Sequence, residues 1–150
     1  VGSEMCIRDR KYPIYSDEDA GKREADYNEI RLAEIYYSLA ECKFKANDVD
    51  GAAKLLNAVR KRNYPQDTWA EYLYKPEGTV TLTQDELYDE WGREFLAEGR
   101  RRTDLIRWGL YCTEEWWDKK PDADSHWDIF PIPRDMMGAD HTLKQNPGYN

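Results

Sequence analysis

TLTQDELYDEWGREFLAEGRRRTDLIRWG, residues 81–109, is the stretch that decides the fold. Thr83 and Glu86 have the Ser/Thr-x-x-Glu spacing of a capping box. The threonine hydroxyl accepts from the Glu86 N–H, and the Glu86 side chain reaches back to the N–H of Thr83. Leu87, Trp91 and Phe95 recur every four residues, with Tyr88 and Leu96 beside them, so one helical face is apolar. Gly99 is placed to end that helix in a left-handed conformation. Asp104 to Trp108 then reads as one or two further helical turns, closed by Gly109.

Glu90, Arg93, Glu94, Glu98, Arg100, Arg101, Arg102, Asp104 and Arg107 are interleaved through this stretch. A solvated charged face is the plain reading, and exposed pairs contribute only ~0–1 kcal/mol each. Arg101 and Asp104, however, lie where the chain turns back onto its own helix, and Glu98 is placed to take a bidentate guanidinium there. Glu94, Glu98, Arg101, Asp104 and Arg107 are therefore expected to form a structural ion-pair motif. A glycosidase using Glu94 or Glu98 would need two carboxyls ~5–10 Å apart across a sugar site, one of them with a raised pKa. Each carboxylate here has an arginine close by in sequence, which favours the ionised form. No catalytic residue is expected.

Working outward, a first amphipathic helix is predicted from Asn28 to about Ala46, with Leu32, Ile35, Tyr36, Leu39 and Cys42 as its apolar stripe. Asn47-Asp48 breaks it. Asp48 or Asp50 caps a second helix, in which Ala52, Leu55, Leu56 and Val59 repeat the pattern up to Arg62. Two such helices joined by a short turn make an antiparallel hairpin. LAEIYYSLAE followed by GAAKLLNAVR is similar to one ~34-residue tetratricopeptide repeat. Such a repeat needs a neighbour to bury its other face, and the Thr83 helix supplies one.

The 150 residues suffice for one domain with a real core. With 22 Lys+Arg against 30 Asp+Glu, the net charge of -8 argues against nucleic-acid partners, which require a cationic surface. Three cysteines make no disulfide scaffold, and Cys42 and Cys112 are expected as buried thiols. His126 and His141 have no partner at metal-ligand spacing, and Asp122, Asp124 and Asp128 lack the glycine and glutamate of a calcium loop, so neither metal nor cofactor is expected.

Six Trp and eleven Tyr against three Phe are the unusual feature of the composition, because amphipathic aromatics suit recognition surfaces. They concentrate in two connecting stretches, a loop at 64–80 and a second stretch after Gly109. Trp69, Tyr72, Tyr74, Trp116 and Trp117 are the expected ligand contacts, since a flat ring offers a platform to the C–H face of a sugar. Packing of loops against helices accounts for the same rings. Pro121 to Asp124 reads as a turn, and Ile129 to Pro133 as extended chain, because proline pushes its predecessor out of the helical region. Residues 1–10, VGSEMCIRDR, match nothing downstream and read as a non-native tail of the kind left by a translated sequencing adapter. Residues 11–27 read as loop.

Three landmarks, in order, make residues 28–150 resemble the C-terminal helical domain of the SusD/RagB family, surface glycan-binding lipoproteins of Bacteroidetes. They are the hairpin ending LLNAVR, the run REFLAEGRRRTDLIRWG, and the ending FPIP followed by KQNPGYN. The chain departs from the family pattern where Trp91-Gly92 follows Glu90, and where Arg102 stands at a position often aromatic. The resemblance implies a mainly α fold, with tetratricopeptide-like helical hairpins and long aromatic-rich loops. It also implies a fragment of a longer, non-catalytic lipoprotein on the outer face of the outer membrane, anchored through an N-terminal region that the fragment lacks. Such a protein captures oligosaccharides, or peptides, for a SusC-type TonB-dependent transporter. An intracellular tetratricopeptide adaptor for peptide tails is the competing reading.

Overall fold

The computed structural model describes residues 29–116 and 118–149. The expected tail at 1–10, the loop at 11–27, Cys6 and Trp117 lie outside the described residues. The chain divides into two compact units, Val1–Ala97 and Glu98–Asn150. As expected, the fold is mainly α. The extended pairing among the described residues is limited to two isolated bridges, Tyr74 with Val80 and Trp116 with Lys119.

In the first unit, α1 (Leu32–Lys45) and α2 (Val49–Arg60) form the expected antiparallel hairpin. The turn between them is a Schellman motif. Asn47 takes φ 62°, its N–H donates to Phe44 O, and the Asp48 N–H donates to Lys43 O. Asp48 also caps α2, accepting from the Gly51 N–H at 2.9 Å.

The buried face of α1 is Ala33, Tyr37, Ala40 and Glu41, not the predicted stripe. Leu32, Ile35 and Leu39 remain 69%, 55% and 49% exposed, and Cys42 is exposed as well. Ala33 and Ala40 of α1 and Ala52 and Ala53 of α2 are all buried, and their small side chains allow close helix approach. Tyr37 fills the remaining space and meets Trp91 and Phe95 edge-to-face, at centroid distances of 5.5 and 5.4 Å. This rotation turns the leucine stripe outward.

The chain at 64–80 is more ordered than a plain loop. It holds a 3-10 turn (Gln66–Thr68), the single-turn helix α3 (Trp69–Tyr72) and the Tyr74–Val80 bridge. Helix α4 (Gln84–Glu94) starts as predicted, with the Thr83 hydroxyl accepting from the Glu86 N–H at 3.2 Å. The Glu86 carboxylate does not return to Thr83; it accepts from the Tyr74 hydroxyl and from Arg93. Leu87, Trp91 and Phe95 are buried, whereas Leu96 is exposed. The helix stops at Glu94, ahead of Gly99. Both Ala97 and Gly99 take left-handed φ, at 64° and 72°, in the irregular turn that follows.

In the second unit, α5 (Arg101–Trp108) closes at Gly109 (φ 74°) as expected. The Gly109 N–H donates to Ile106 O and the Leu110 N–H to Leu105 O, a second Schellman motif. The extended segment at 129–133 is present, followed by an unforeseen short helix α6 (Arg134–Ala139). The closing residues grip that segment through side chains. Gln145 Oε1 accepts from the Ile132 N–H (2.7 Å) and Nε2 donates to Ile132 O (2.8 Å). Asn146 donates to Phe130 O (2.8 Å), and the Tyr149 hydroxyl to Ile129 O (2.8 Å). The third landmark is thus one structure, built from two segments of chain. Among the described residues, no helix is long and apolar enough to cross a membrane.

Candidate functional site

Glu90 and Glu94 of α4 find partners far away in sequence. Glu90 is buried. Its Oε1 accepts from the Tyr37 hydroxyl (2.8 Å), and its Oε2 accepts from Arg60 (2.7 Å) and from Arg93 Nε (2.9 Å). Arg60, also buried, donates to the Tyr74 hydroxyl (2.8 Å) and the Tyr72 carbonyl (2.7 Å), and its guanidinium lies 4.4 Å from the Tyr74 ring. Burial, with the neighbouring Glu90 charge, pushes both the Tyr37 and Tyr74 hydroxyls well above the usual tyrosine range, so both stay protonated. Glu94 accepts from Arg31 at 2.6 Å and from Arg62, while Arg31 also donates to the Glu94 carbonyl and covers Phe95 at 4.5 Å. A buried charge needs a close, well-aligned counter-charge to offset lost hydration. Here Arg60 of α2 supplies it for Glu90, and Arg31 and Arg62, just outside α1 and α2, supply it for Glu94.

Of the predicted ion-pair motif, Glu94 is therefore tied to Arg31 and Arg62. Asp104 pairs along its own helix with Arg107 (3.2 Å) and Arg100 (3.8 Å). Glu98 is buried, and the Arg101 guanidinium lies 6.0 Å from the Trp108 ring. Glu94, with both arginines on one carboxylate oxygen and almost no exposed surface, offers no access to a sugar.

Two groups of aromatics remain. In the first unit, Tyr64 and Tyr72 stack face to face, with centroids 4.7 Å apart and planes 9° apart. The Trp69 indole N–H donates to Tyr64 O (2.9 Å), and Lys61 sits 5.0 Å from the Trp69 ring. Tyr72 keeps 38% of its surface exposed. Its hydroxyl is pushed upward by the adjacent Glu71 carboxylate, to which it is bonded. Tyr74, in contrast, is fully buried and belongs to the core beside Arg60. In the second unit, Trp116 pairs through its backbone with Lys119, whose ammonium lies 5.2 Å from the indole and 2.7 Å from Asp122. Trp117 lies outside the described residues.

Several organising residues carried no role in the sequence reading. Asn57 is buried in α2 and bonds both backbone groups of Tyr74, Nδ2 to the carbonyl and Oδ1 to the N–H, each at 2.8 Å. The available signal was an amide on the apolar side of a helix, beside Leu56, where burial without a partner is costly. Arg102, one of the interleaved charges, is a second such residue. Its guanidinium packs 3.9 Å from Phe130 and 5.0 Å from Tyr111, and donates to Trp127 O (2.7 Å) and Asp128 O (3.3 Å).

A model of the SusD family matches residues 7–149. The chain belongs to the SusD family. It is 37% identical over 132 residues to the starch-binding protein SusD of Bacteroides thetaiotaomicron, a match covering 80% of the chain and 21% of that protein. It is 36% identical over 82 residues to a SusD-like protein, P25, of Formosa agariphila, covering 54% of the chain and 15% of that protein. A crystal structure of a SusD-like protein from Bacteroides fragilis superposes with a TM-score of 0.55 at 24% identity, over 80% of this chain and 25% of that one. This SusD-family chain thus spans about a fifth of the length of the relatives it matches.

Proposed function

We propose that this chain is the C-terminal part of a non-catalytic binding protein at the bacterial cell surface. In this reading it captures oligosaccharides for a SusC-type TonB-dependent transporter and is held at the outer membrane by a lipid anchor elsewhere in the protein. The observation that carries the proposal is the family match over residues 7–149, joined to 37% identity with a starch-binding relative. The site geometry supports it. The carboxylates Glu90 and Glu94 are locked to arginines, as a scaffold requires, while rings of Tyr72 and its neighbours remain at the surface. Trp69, Tyr72 and Trp116, with Trp117, are the proposed ligand contacts, and Glu94, Glu98, Arg101, Asp104 and Arg107 serve the framework.

Titration of the chain with maltoheptaose, followed by calorimetry and by an assay for new reducing ends, tests this reading. Binding without release of reducing ends is expected, weakened by Tyr72→Ala. Release of reducing ends that disappears in Glu94→Gln would replace it with a hydrolase.

A further inference from the structure

Trp127 is the most open tryptophan among the described residues, 49% exposed, and nothing so far gives it a role. It is nevertheless held firmly. It sits in the 3-10 turn His126–Asp128, its carbonyl accepts from Arg102, and its ring lies 4.4 Å from the His126 ring and 5.9 Å from Tyr149, edge-to-face. Tyr149 is fixed in turn by its bond to Ile129 O. Gly148 (φ 86°) passes so close that a Cβ there would lie 2.4 Å from His126 Cβ. These contacts hold the indole and still leave about half of its surface open. It also loses little freedom when a ligand covers it.

The His126 ring beside the indole carries a polar partner of its own. Asp124 Oδ1 accepts from the His126 N–H (2.9 Å) and pairs with His126 Nδ1, while the Asp124 side chain stays 65% exposed. These bonds hold its carboxyl below the usual range, so it is an ionised acceptor at neutral pH. With Nδ1 committed to Asp124, Nε2 is the imidazole's second polar atom.

We infer that Trp127, flanked by Asp124 and His126, is a contact site for one ring of a neutral oligosaccharide. The indole takes the C–H face of the sugar, and the Asp124 carboxylate accepts from its hydroxyls. Asp124, with Asp128 two residues beyond His126, disfavours anionic sugars by like charge. A protein partner would instead favour a dry centre without charges, and here an exposed carboxylate is bonded to the histidine that lies against the indole. The inference rests on the carbohydrate-binding reading above, but names a site apart from Trp69, Tyr72 and Trp116.

The test uses the full chain, labelled with 15N at tryptophan and titrated with maltoheptaose, cellohexaose, laminarihexaose and polygalacturonate. The Trp127 indole signal is assigned by its loss in Trp127→Phe. A neutral oligosaccharide should shift that signal. Trp127→Ala should weaken its binding about tenfold or more, and Asp124→Asn by about threefold, with circular dichroism unchanged. Should Trp127→Ala lose its fold, the wild-type indole shift and Asp124→Asn carry the test. Binding that leaves the Trp127 signal and the affinity of Trp127→Ala unaltered, yet falls in Tyr72→Ala, overturns this site, leaves the general reading standing, and marks this face as a protein contact. Absence of binding to every sugar overturns both.

Discussion

Asn57 holds Tyr74 by both of its backbone groups, at 2.8 Å each, as a neighbouring strand residue would. Gln145 holds Ile132 in the same way, at 2.7 and 2.8 Å. In each unit one side-chain amide thus bonds both backbone groups of a residue in an extended segment. In the first unit the amide stands one turn before Arg60, which holds the Tyr72 carbonyl. The pair docks the aromatic stretch onto α2.

Replacing Asn57 with leucine strands the N–H of Tyr74 inside the first unit, while the Tyr74 carbonyl keeps the Glu77 and Gly78 N–H groups. The expected cost is about 1–3 kcal/mol, from desolvation of one group. Urea unfolding measures it, and amide exchange at Tyr74 should lose its protection. An undisturbed Tyr74 amide would mean that the pairing contributes nothing.

Glu90→Leu removes the counter-charge of the buried Arg60, and should cost about 3–5 kcal/mol. The double variant Arg60→Met/Glu90→Leu leaves no buried charge alone, and should be less destabilised than the sum of the single changes. Strict additivity in a double-mutant cycle would contradict the pairing.

Ala97 takes φ 64°, a conformation that costs a side chain about 1–2 kcal/mol and glycine almost nothing. Part of the relief is offset by the greater freedom of glycine in the unfolded chain. Ala97→Gly should therefore raise the unfolding free energy, by about 0.5–1 kcal/mol. A lower urea midpoint with unchanged slope would be the contrary result.

Cys42 and Cys112 should separate sharply in alkylation. Cys42 is exposed, whereas burial and the Asp128 carboxylate push the Cys112 thiol up to about 11. At pH 8 only on the order of one in a thousand Cys112 side chains is thiolate, the reactive form. Iodoacetamide followed by peptide mass spectrometry should show Cys42 modified first, with Cys112 reacting once urea is added. Equal rates in the folded chain would refute the burial of Cys112.

Gly148→Ala should push the closing Pro-Gly-Tyr segment away from His126, at a cost of about 1–3 kcal/mol from steric overlap and unfavourable φ. Loss of the nuclear Overhauser contact between Tyr149 and Trp127 would report it. Retention of that contact with unchanged stability would show that the close approach is not needed.

The sequence by itself determined the capped starts at Asp48 and Thr83, the stop at Gly109, and the family. Thr83, Asp48, Asn47 and Gly109 act through bonds to residues within five positions, so their roles can be read locally. The order of LLNAVR, REFLAEGRRRTDLIRWG and FPIP with KQNPGY carried the rest. Only the tertiary structure decided which charges pair and which face of α1 is covered. Glu94 is 63 residues from Arg31, and Glu90 is 30 from Arg60. Glu94 and Glu90 take arginines from the chain that packs against them, whereas Asp104 pairs with Arg100 and Arg107 close by in sequence, so nearness along the chain finds the second kind of pair and misses the first. Helix rotation follows the same physics: Ala33, Tyr37 and Ala40 are the residues of α1 that its neighbours cover, and Leu32, Ile35 and Leu39 stay in solvent.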